Sequence, residues 1–296
     1  GVILLDGGIG QELRRRCQTG YDRLWGSLVM IEQPDVVREL HEDYLRAGAR
    51  VITTNTYTTV KRRLAESTDL IDRWEELLRL ACDLACRARD SVGEPALIAG
   101  CLPPLHGSYR VDLVPPFEEM SAIYAEHVSV MTPLVDLFLC ETMTNVEEGV
   151  AAARAAAASG KPVWVSWTLK DDDSGRLRSG ETLAQAWAAL DGLPIEAAMV
   201  NCCAPETITA AMPKLLALGA PLCGGHANAF AHIPDNWSMK ASTKALGVRG
   251  DLDPTTYADH VNNWLDAGAS VVGGCCEVGP AHIDCISTII ETRAPA

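Results

Sequence analysis

Basic residues are scarce in this sequence: 25 Lys and Arg stand against 39 Asp and Glu, a formal charge of −14. A nucleic acid or an anionic membrane surface needs a basic face to meet its phosphates, so neither is an expected partner. Long apolar runs are also missing. No stretch approaches the ~20 residues of a membrane helix. The apolar start Val2-Ile3-Leu4-Leu5 stops at Asp6 with no basic residue before it, so a signal peptide is not expected. No Pro-, Gly- or Ser-rich linker divides the chain, and residues 1–296 read as one domain. What is present is a 48% hydrophobic content, which excludes wholesale disorder, and eleven cysteines. A chain of this size needs no disulfide staples, and the count is odd. The expectation is a cytoplasmic protein with reduced thiols.

Short apolar runs alternate with longer amphipathic stretches. Eight candidate strands are Val2–Asp6, Val51–Tyr57, Leu97–Leu102, Leu137–Met143, Pro162–Leu169, Ala197–Cys203, Pro221–Ala229 and Ser270–Cys276. They show little alternation, as strands buried on both faces should. Helical patterns cover Pro34–Ala47, Thr68–Ser91, Pro116–Leu134, Asn145–Ala158, Glu181–Leu190, Pro205–Leu218, Pro254–Ala267 and Pro280–Ile290. Several open on Pro and several stop at Gly, the expected asymmetry of helix ends. A doubly wound sheet would share the alternation. The count of eight favours an α/β chain folded as a (β/α)8 TIM barrel, which takes ~250 residues. The long connections 7–33, 103–116 and 229–253 all follow strand C-termini, where barrel sites are built. Lys61-Arg62-Arg63 and Asp171-Asp172-Asp173 read as solvated runs.

On that scaffold the cysteines divide. Cys202-Cys203 end the sixth strand and Cys275-Cys276 the eighth, so both pairs lie at one rim. Three thiolates and an open position make a catalytic zinc site. Strand alternation sends Cys202 and Cys203 to opposite faces, so only one of them serves. Cys275 and Cys276 can both serve where the strand ends, and Gly273-Gly274 permits the irregular backbone this needs. Cys17, Cys82, Cys86, Cys101, Cys140, Cys223 and Cys285 read as small buried hydrophobes.

Gly273-Gly274-Cys275-Cys276 followed by Pro280-Ala281-His282-Ile283, with Val200-Asn201-Cys202, resembles the signature of the homocysteine S-methyltransferase family. Leu5-Asp6-Gly7-Gly8-Ile9-Gly10, Thr54-Asn55-Thr56-Tyr57, Gly100-Cys101-Leu102-Pro103-Pro104 with Ser108-Tyr109, and Glu141-Thr142 match family blocks in order. The resemblance runs essentially end to end. It implies a zinc-dependent barrel that methylates homocysteine to methionine, with Cys202, Cys275 and Cys276 as ligands of Zn²⁺. It also implies Asp6, Gly7 and Gly8 at the amino-acid end of the substrate, Glu141 on its ammonium, and Thr54 and Asn55 beside it. Trp25 matches an aromatic on the methyl-donor side. Cys203 has no ligand counterpart. The chain departs from the family at Glu277-Val278-Gly279, where one or two threonines usually stand.

The chemistry holds apart from the resemblance. A free thiol with pKa ~8.5 is mostly protonated at neutral pH, and zinc binding removes the proton. Three protein thiolates and a substrate thiolate give the centre a charge of −2, which favours a cationic methyl donor. A sulfonium such as S-methylmethionine or S-adenosylmethionine is expected, with a betaine-type donor as the alternative. Trp25 and Tyr57 can face its charge through their rings. No general base is needed. Two other readings stay open: a related thiol or selenol as acceptor, and a non-catalytic barrel in which Cys203 completes a four-ligand structural zinc site.

Overall fold

The computed structural model describes residues 1–17, 25–65, 70–238 and 243–293. Eight parallel strands are formed: β1 (Ile3–Leu4), β2 (Val51–Thr53), β3 (Leu97–Leu102), β4 (Leu137–Met143), β5 (Val163–Trp167), β6 (Ile195–Asn201), β7 (Leu222–Ala227) and β8 (Val271–Gly274). Each pairs with its sequence neighbour, and β1 pairs with β8 through Ile3–Val271 and Leu4–Val272. A parallel bridge between Leu5 and Val51 closes β1 onto β2. This is the closed (β/α)8 barrel, with all eight expected strands in place.

The helices between strands begin and end where the local chemistry dictates. Pro34, Pro205, Pro254 and Pro280 each open a helix, where the missing N–H costs nothing. Asn145 and Asp253 cap theirs by accepting from Glu148 N and Thr256 N, and Thr182 with Gln185 forms a capping box. Gly93 and Gly268 end theirs at φ 75° and 115°, a conformation that a side chain opposes. The expected helix over Thr68–Ser91 starts later, as Trp74–Val92, and Thr68 lies outside the described residues. The connection after β1 carries two helices with no expectation behind them, Gly10–Arg16 and Trp25–Glu32.

The core has three parts. Leu5, Val51, Leu137, Leu139, Met199 and Val271 belong to the cluster filling the barrel. A larger cluster lies between strands and helices and takes Phe138, Cys140, Ala198 and Val200. Alternate residues of β4 and β6 thus point in and out, as a barrel requires. A third, smaller cluster caps the C-terminal rim: Tyr109, Cys202, Phe230, Ile233, Trp237 and Leu246, with Cys275 and Cys276 packed on it.

Candidate active site

A cavity open to solvent lies at the C-terminal ends of the strands. Its floor is set by where each strand stops. β6 supplies the clearest case. Ala197 and Met199 face the barrel interior while Ala198 and Val200 face the helices. Continuing that pleat would turn Cys203 inward and Cys202 outward. The backbone at Cys202 instead takes φ 51°, which breaks the alternation. Cys202 turns to the cavity, and Cys203 enters the outer core. A non-glycine residue in this region costs on the order of 1 kcal/mol or more. Of the five described non-glycine residues with positive φ, Tyr109, Thr142, Cys202 and Glu277 are at or beside this site, and Asp173 is elsewhere.

The thiol groups of Cys202, Cys275 and Cys276 all lie within 4.8 Å of one another. Cys202 Sγ is 3.8 Å from Cys276 Sγ. A disulfide needs ~2.05 Å. A tetrahedral thiolate centre with metal–sulfur bonds of ~2.3 Å has edges of about 3.8 Å. The three thiols therefore fit a divalent ion, and no fourth cysteine joins them. Cys203 is fully buried, and desolvation pushes its thiol well up. The four-cysteine structural site is not built in this chain.

The Cys275-Cys276 turn is held by close packing against the first strand's end. A Cβ on Gly8 would sit 2.5 Å from Cys275 O, and one on Gly274 would sit 2.1 Å from Val278 Cγ1. Gly8 N donates to Val278 O at 2.8 Å, and Tyr44 Oη donates to Gly8 O at 2.7 Å. The Gly8 amide is thus engaged by the turn, and Gly8 lines the cavity beside Gly7. Glu277, standing where the family carries threonine, makes an ion pair with Arg15 instead.

Hydrogen-bond donors surround the sulfurs. Tyr109 Oη lies 2.8 Å from Cys202 Sγ, and Asn228 Nδ2 lies 3.9 Å from it. Asn201 Nδ2 lies 3.9 Å from Cys275 Sγ and donates to Thr142 Oγ1 at 2.9 Å. Asn201 Oδ1 accepts from Thr142 N and Ser166 Oγ, so one buried amide ties three strands together. Burial opposes ionisation of Cys202. Hydrogen bonds from Cys275, Cys276, Tyr109 and Asn228 outweigh it and hold this thiol well below its usual value. Hydrogen bonding to that sulfur, with burial, holds Cys275 and Cys276 well above theirs.

Two carboxyl groups line the same cavity. Asp6 is buried and accepts from Thr53 N at 2.7 Å and Thr53 Oγ1 at 3.1 Å. Desolvation outweighs these bonds, and Asp6 is pushed up to about 8. Glu141 continues the inward row of Leu137 and Leu139 on β4. Desolvation raises it to about 7, against a hydrogen bond from Cys101. Cys101 is thus a partner of Glu141 rather than packing alone. His226 is buried in the cavity wall and pushed down to about 4 by desolvation, so it is neutral. No Lys or Arg lines the cavity among the described residues.

Thr54, Asn55 and Tyr57 also line the cavity. Thr54 Oγ1 accepts from Cys101 N at 3.0 Å, and Asn55 Nδ2 donates to Gly26 O at 2.9 Å. Tyr57 Oη shares a 2.6 Å hydrogen bond with Ser108, and the Arg63 guanidinium already stacks on its ring at 5.3 Å. Trp25 opens a helix, but its side chain lies outside the described residues. Two charge runs prove not to be simply solvated. Arg63 is buried and donates to Tyr57 O and Pro104 O. Asp171 Oδ1 accepts from Ala204 N at 2.9 Å and Thr207 Oγ1 at 2.7 Å. Sequence reasoning missed Tyr109, Asn201, Phe230 and Trp237. A buried-strand Asn beside a cysteine was a readable signal for Asn201, and Tyr109 lay in the Ser108-Tyr109 block without a role given to it, whereas nothing local indicated Phe230 or Trp237.

Fold and site together define a (β/α)8-barrel protein with a three-cysteine cluster, able to hold a metal, at its C-terminal rim. A family profile described as homocysteine S-methyltransferase matches residues 3–290. The homocysteine S-methyltransferase of Escherichia coli (strain K12) is 32% identical over 298 residues, 95% of this chain and 93% of that one. The selenocysteine Se-methyltransferase of Brassica oleracea var. italica is 25% identical, over 99% of this chain and 90% of its own. The metallated form of the homocysteine methyltransferase MmuM from Escherichia coli superposes with a TM-score of 0.81. It is 29% identical, over 97% of this chain and 96% of that chain. The chain belongs to the homocysteine S-methyltransferase family and is a methyltransferase.

Proposed function

We propose that this protein transfers a methyl group from a small cationic donor, a sulfonium in particular, to the thiol of homocysteine, giving methionine. The observation that carries the reading is one cavity that holds three clustered thiols and two desolvated carboxyl groups, with no Lys or Arg among its described lining residues. Such a cavity accepts cations at both of its functional ends.

Cys202, Cys275 and Cys276 would hold Zn²⁺. When bound, such an ion supplies the Lewis acidity that keeps an incoming thiol ionised at neutral pH. Asp6 and Glu141 receive the substrate ammonium, and its charge draws both carboxyl groups back to the ionised state. The backbone at Gly7 meets the substrate's carboxylate end, and Thr54 and Asn55 frame it. Tyr109, Asn201 and Asn228 fix the direction of the cysteine sulfurs by hydrogen bonds. The acceptor sulfur forms a bond to the donor methyl carbon as the donor's C–S bond breaks in line. The donor sulfur keeps that electron pair and leaves as a neutral thioether. Charge is cancelled in this step, so the apolar cluster around the cysteines assists by excluding water. No residue is required to take a proton during transfer.

A selenol acceptor is the second reading, favoured by the selenocysteine Se-methyltransferase among the relatives. The test is methionine formation from homocysteine with S-methylmethionine, S-adenosylmethionine, dimethylsulfoniopropionate and betaine in turn, alongside metal analysis. Selenocysteine as acceptor separates the second reading. Activity with no donor, or full activity in metal-free protein, would sink the proposal.

A further inference from the structure

Cys202 holds a backbone conformation that a side chain opposes, at φ 51°. Such a residue persists where its surroundings fix it from several sides. Two of its supports come from one segment, the short hairpin after β5 in which Leu169 bridges Leu177 and Arg176 bridges Thr182. Thr168 Oγ1 donates to Cys202 O at 3.1 Å. Asp171 Oδ1 accepts from the amide of Ala204, just past the cysteine pair, at 2.9 Å. Arg178, on the returning arm of the hairpin, contacts both. Its Nε lies 3.4 Å from Thr168 Oγ1, and its Nη2 pairs with Asp171 Oδ2 at 3.5 Å. Its guanidinium carbon also lies 5.1 Å from the ring centroid of Tyr109, whose hydroxyl is 2.8 Å from Cys202 Sγ. One side chain, 8% exposed and not part of the cavity lining, thus touches three groups that hold the Cys202 turn.

The three contacts are unequal. The bonds to Thr168 and Asp171 are both long, so neither is strong alone. The stack on Tyr109 bears on the thiol. A cation over the face of a phenol is held by the ring's negative quadrupole and draws density from it, which makes the O–H a stronger donor. A cysteine that has given up its proton to a metal offers only acceptor sites, so the Tyr109 hydroxyl donates to it. We infer that Arg178 is a positioning residue for the cysteine cluster: it holds the Tyr109 hydroxyl on Cys202 Sγ, steadies the Cys202 carbonyl through Thr168, and so slows the departure of the metal. Its charge acts from behind the cavity wall and meets neither the thiols nor the substrate. The inference rests on the reading that Cys202, Cys275 and Cys276 hold Zn²⁺.

The test is the rate at which a chromophoric chelator strips Zn²⁺ from the loaded protein. Arg178→Met keeps the bulk and removes the charge and the donors. It should speed release about tenfold, the lower end of the usual scale for groups that orient metal ligands. Tyr109→Phe, which removes only the hydroxyl, should speed it several-fold. In the Tyr109→Phe background the Arg178→Met change should then act by less than about threefold, because its main route to the sulfur is gone. A residue that merely supports the fold would act equally in both backgrounds. Arg178→Lys keeps a cation beside Asp171 and gives up the planar stack and the Nε–H. It should unfold at nearly the wild-type midpoint and still release zinc several-fold faster, and it replaces the Met variant in the cycle if that one does not fold. Release within about twofold of wild type in every Arg178 variant that folds overturns the inference, as does one and the same factor with and without the Tyr109 hydroxyl. Two controls keep the claims apart. A wild-type protein that takes up no zinc sinks the metal reading and this inference with it. A zinc-loaded protein that forms no methionine with any onium donor sinks the methyl-transfer reading alone, while the release rates still decide the role of Arg178.

Discussion

Replacing Asp6 by Asn separates what this carboxyl costs the fold from what it gives the site. Asp6 is 3% exposed and its pKa is about 8, against 3.8 for an unperturbed side chain. Between those values the folded protein holds a proton that the unfolded chain has released. The unfolded chain binds fewer protons, so stability falls as pH rises, by ~1.4 kcal/mol per unit. The window spans roughly four pH units, so the full contribution is on the order of 5 kcal/mol. Asn is near in size, and its amide oxygen can accept from Thr53 N while the Thr53 hydroxyl turns to meet the amide nitrogen. It does not titrate. Urea-unfolding midpoints of the two proteins should therefore diverge steadily from pH 5 to pH 8, with the Asn variant gaining on wild type as pH rises. Over the same range its homocysteine KM should be roughly 10- to 100-fold higher, the scale of a lost charge-assisted hydrogen bond. Parallel stability curves for the two proteins would refute the buried-carboxyl argument, whatever the kinetics showed.

Other consequences follow from the same geometry. Cys276→Ser should lower bound metal to well below one equivalent by elemental analysis and reduce turnover at least a hundredfold. Cys203→Ala should keep the metal and lose only ~1–2 kcal/mol of stability, since it deletes a buried sulfur from the outer core. Metal binding must displace the protons held on Cys275 and Cys276, so competition titrations with a chromophoric chelator should show affinity falling on acidification, by up to about a hundredfold per pH unit. Tyr109→Phe removes the hydroxyl 2.8 Å from Cys202 Sγ. Chelator-driven metal release should speed up several-fold while the unfolding midpoint hardly moves.

The barrel was legible because its signals are local and repeated. Apolar runs such as Leu137–Met143, and Pro at helix starts, depend on no distant partner. Boundaries failed where tertiary geometry overrides the pattern. The apolar run through Cys203 reads as strand to its end, but the strand stops at Asn201, whose amide bonds Thr142 and Ser166, and the chain turns at Cys202 with φ 51°. The helices Gly10–Arg16 and Trp25–Glu32 went unseen because the first has only Leu13 and Gln11 buried, and the second has almost no sidedness. Cys202, Cys275 and Cys276 were readable as a group because adjacent cysteines at two strand ends have few structural uses. The contacts of Tyr109 and Trp237 were not, since each reaches its partners across the rim from a connection whose path no local pattern encodes.

The cavity's carboxyl groups and thiols, with no Lys or Arg among its described lining residues, favour cations over anions. Burial raises the proton affinity of both carboxyl groups; Glu141 adds to that of Asp6, and ionised Cys202 to that of Glu141. No Arg or Lys among the described lining residues relieves this repulsion. An empty cavity of this kind is destabilised by every charge it carries, and each cation that enters removes part of that cost. On the proposed methyl-transfer reading, a metal at the thiols, an ammonium at the carboxyl groups and an onium between them would be mutually supporting, because each lowers the proton affinity of groups the others must meet ionised. Binding should therefore be cooperative between ammonium-bearing acceptor and onium donor at pH 6, where the carboxyl groups are largely protonated. That cooperativity should fade by pH 9, where they are already ionised. Calorimetric titration of the donor against protein saturated with methionine, a non-accepting ammonium ligand, measures this coupling directly. Equal donor affinity with and without methionine at pH 6 would mean that the carboxyl groups and the donor subsite do not share a field.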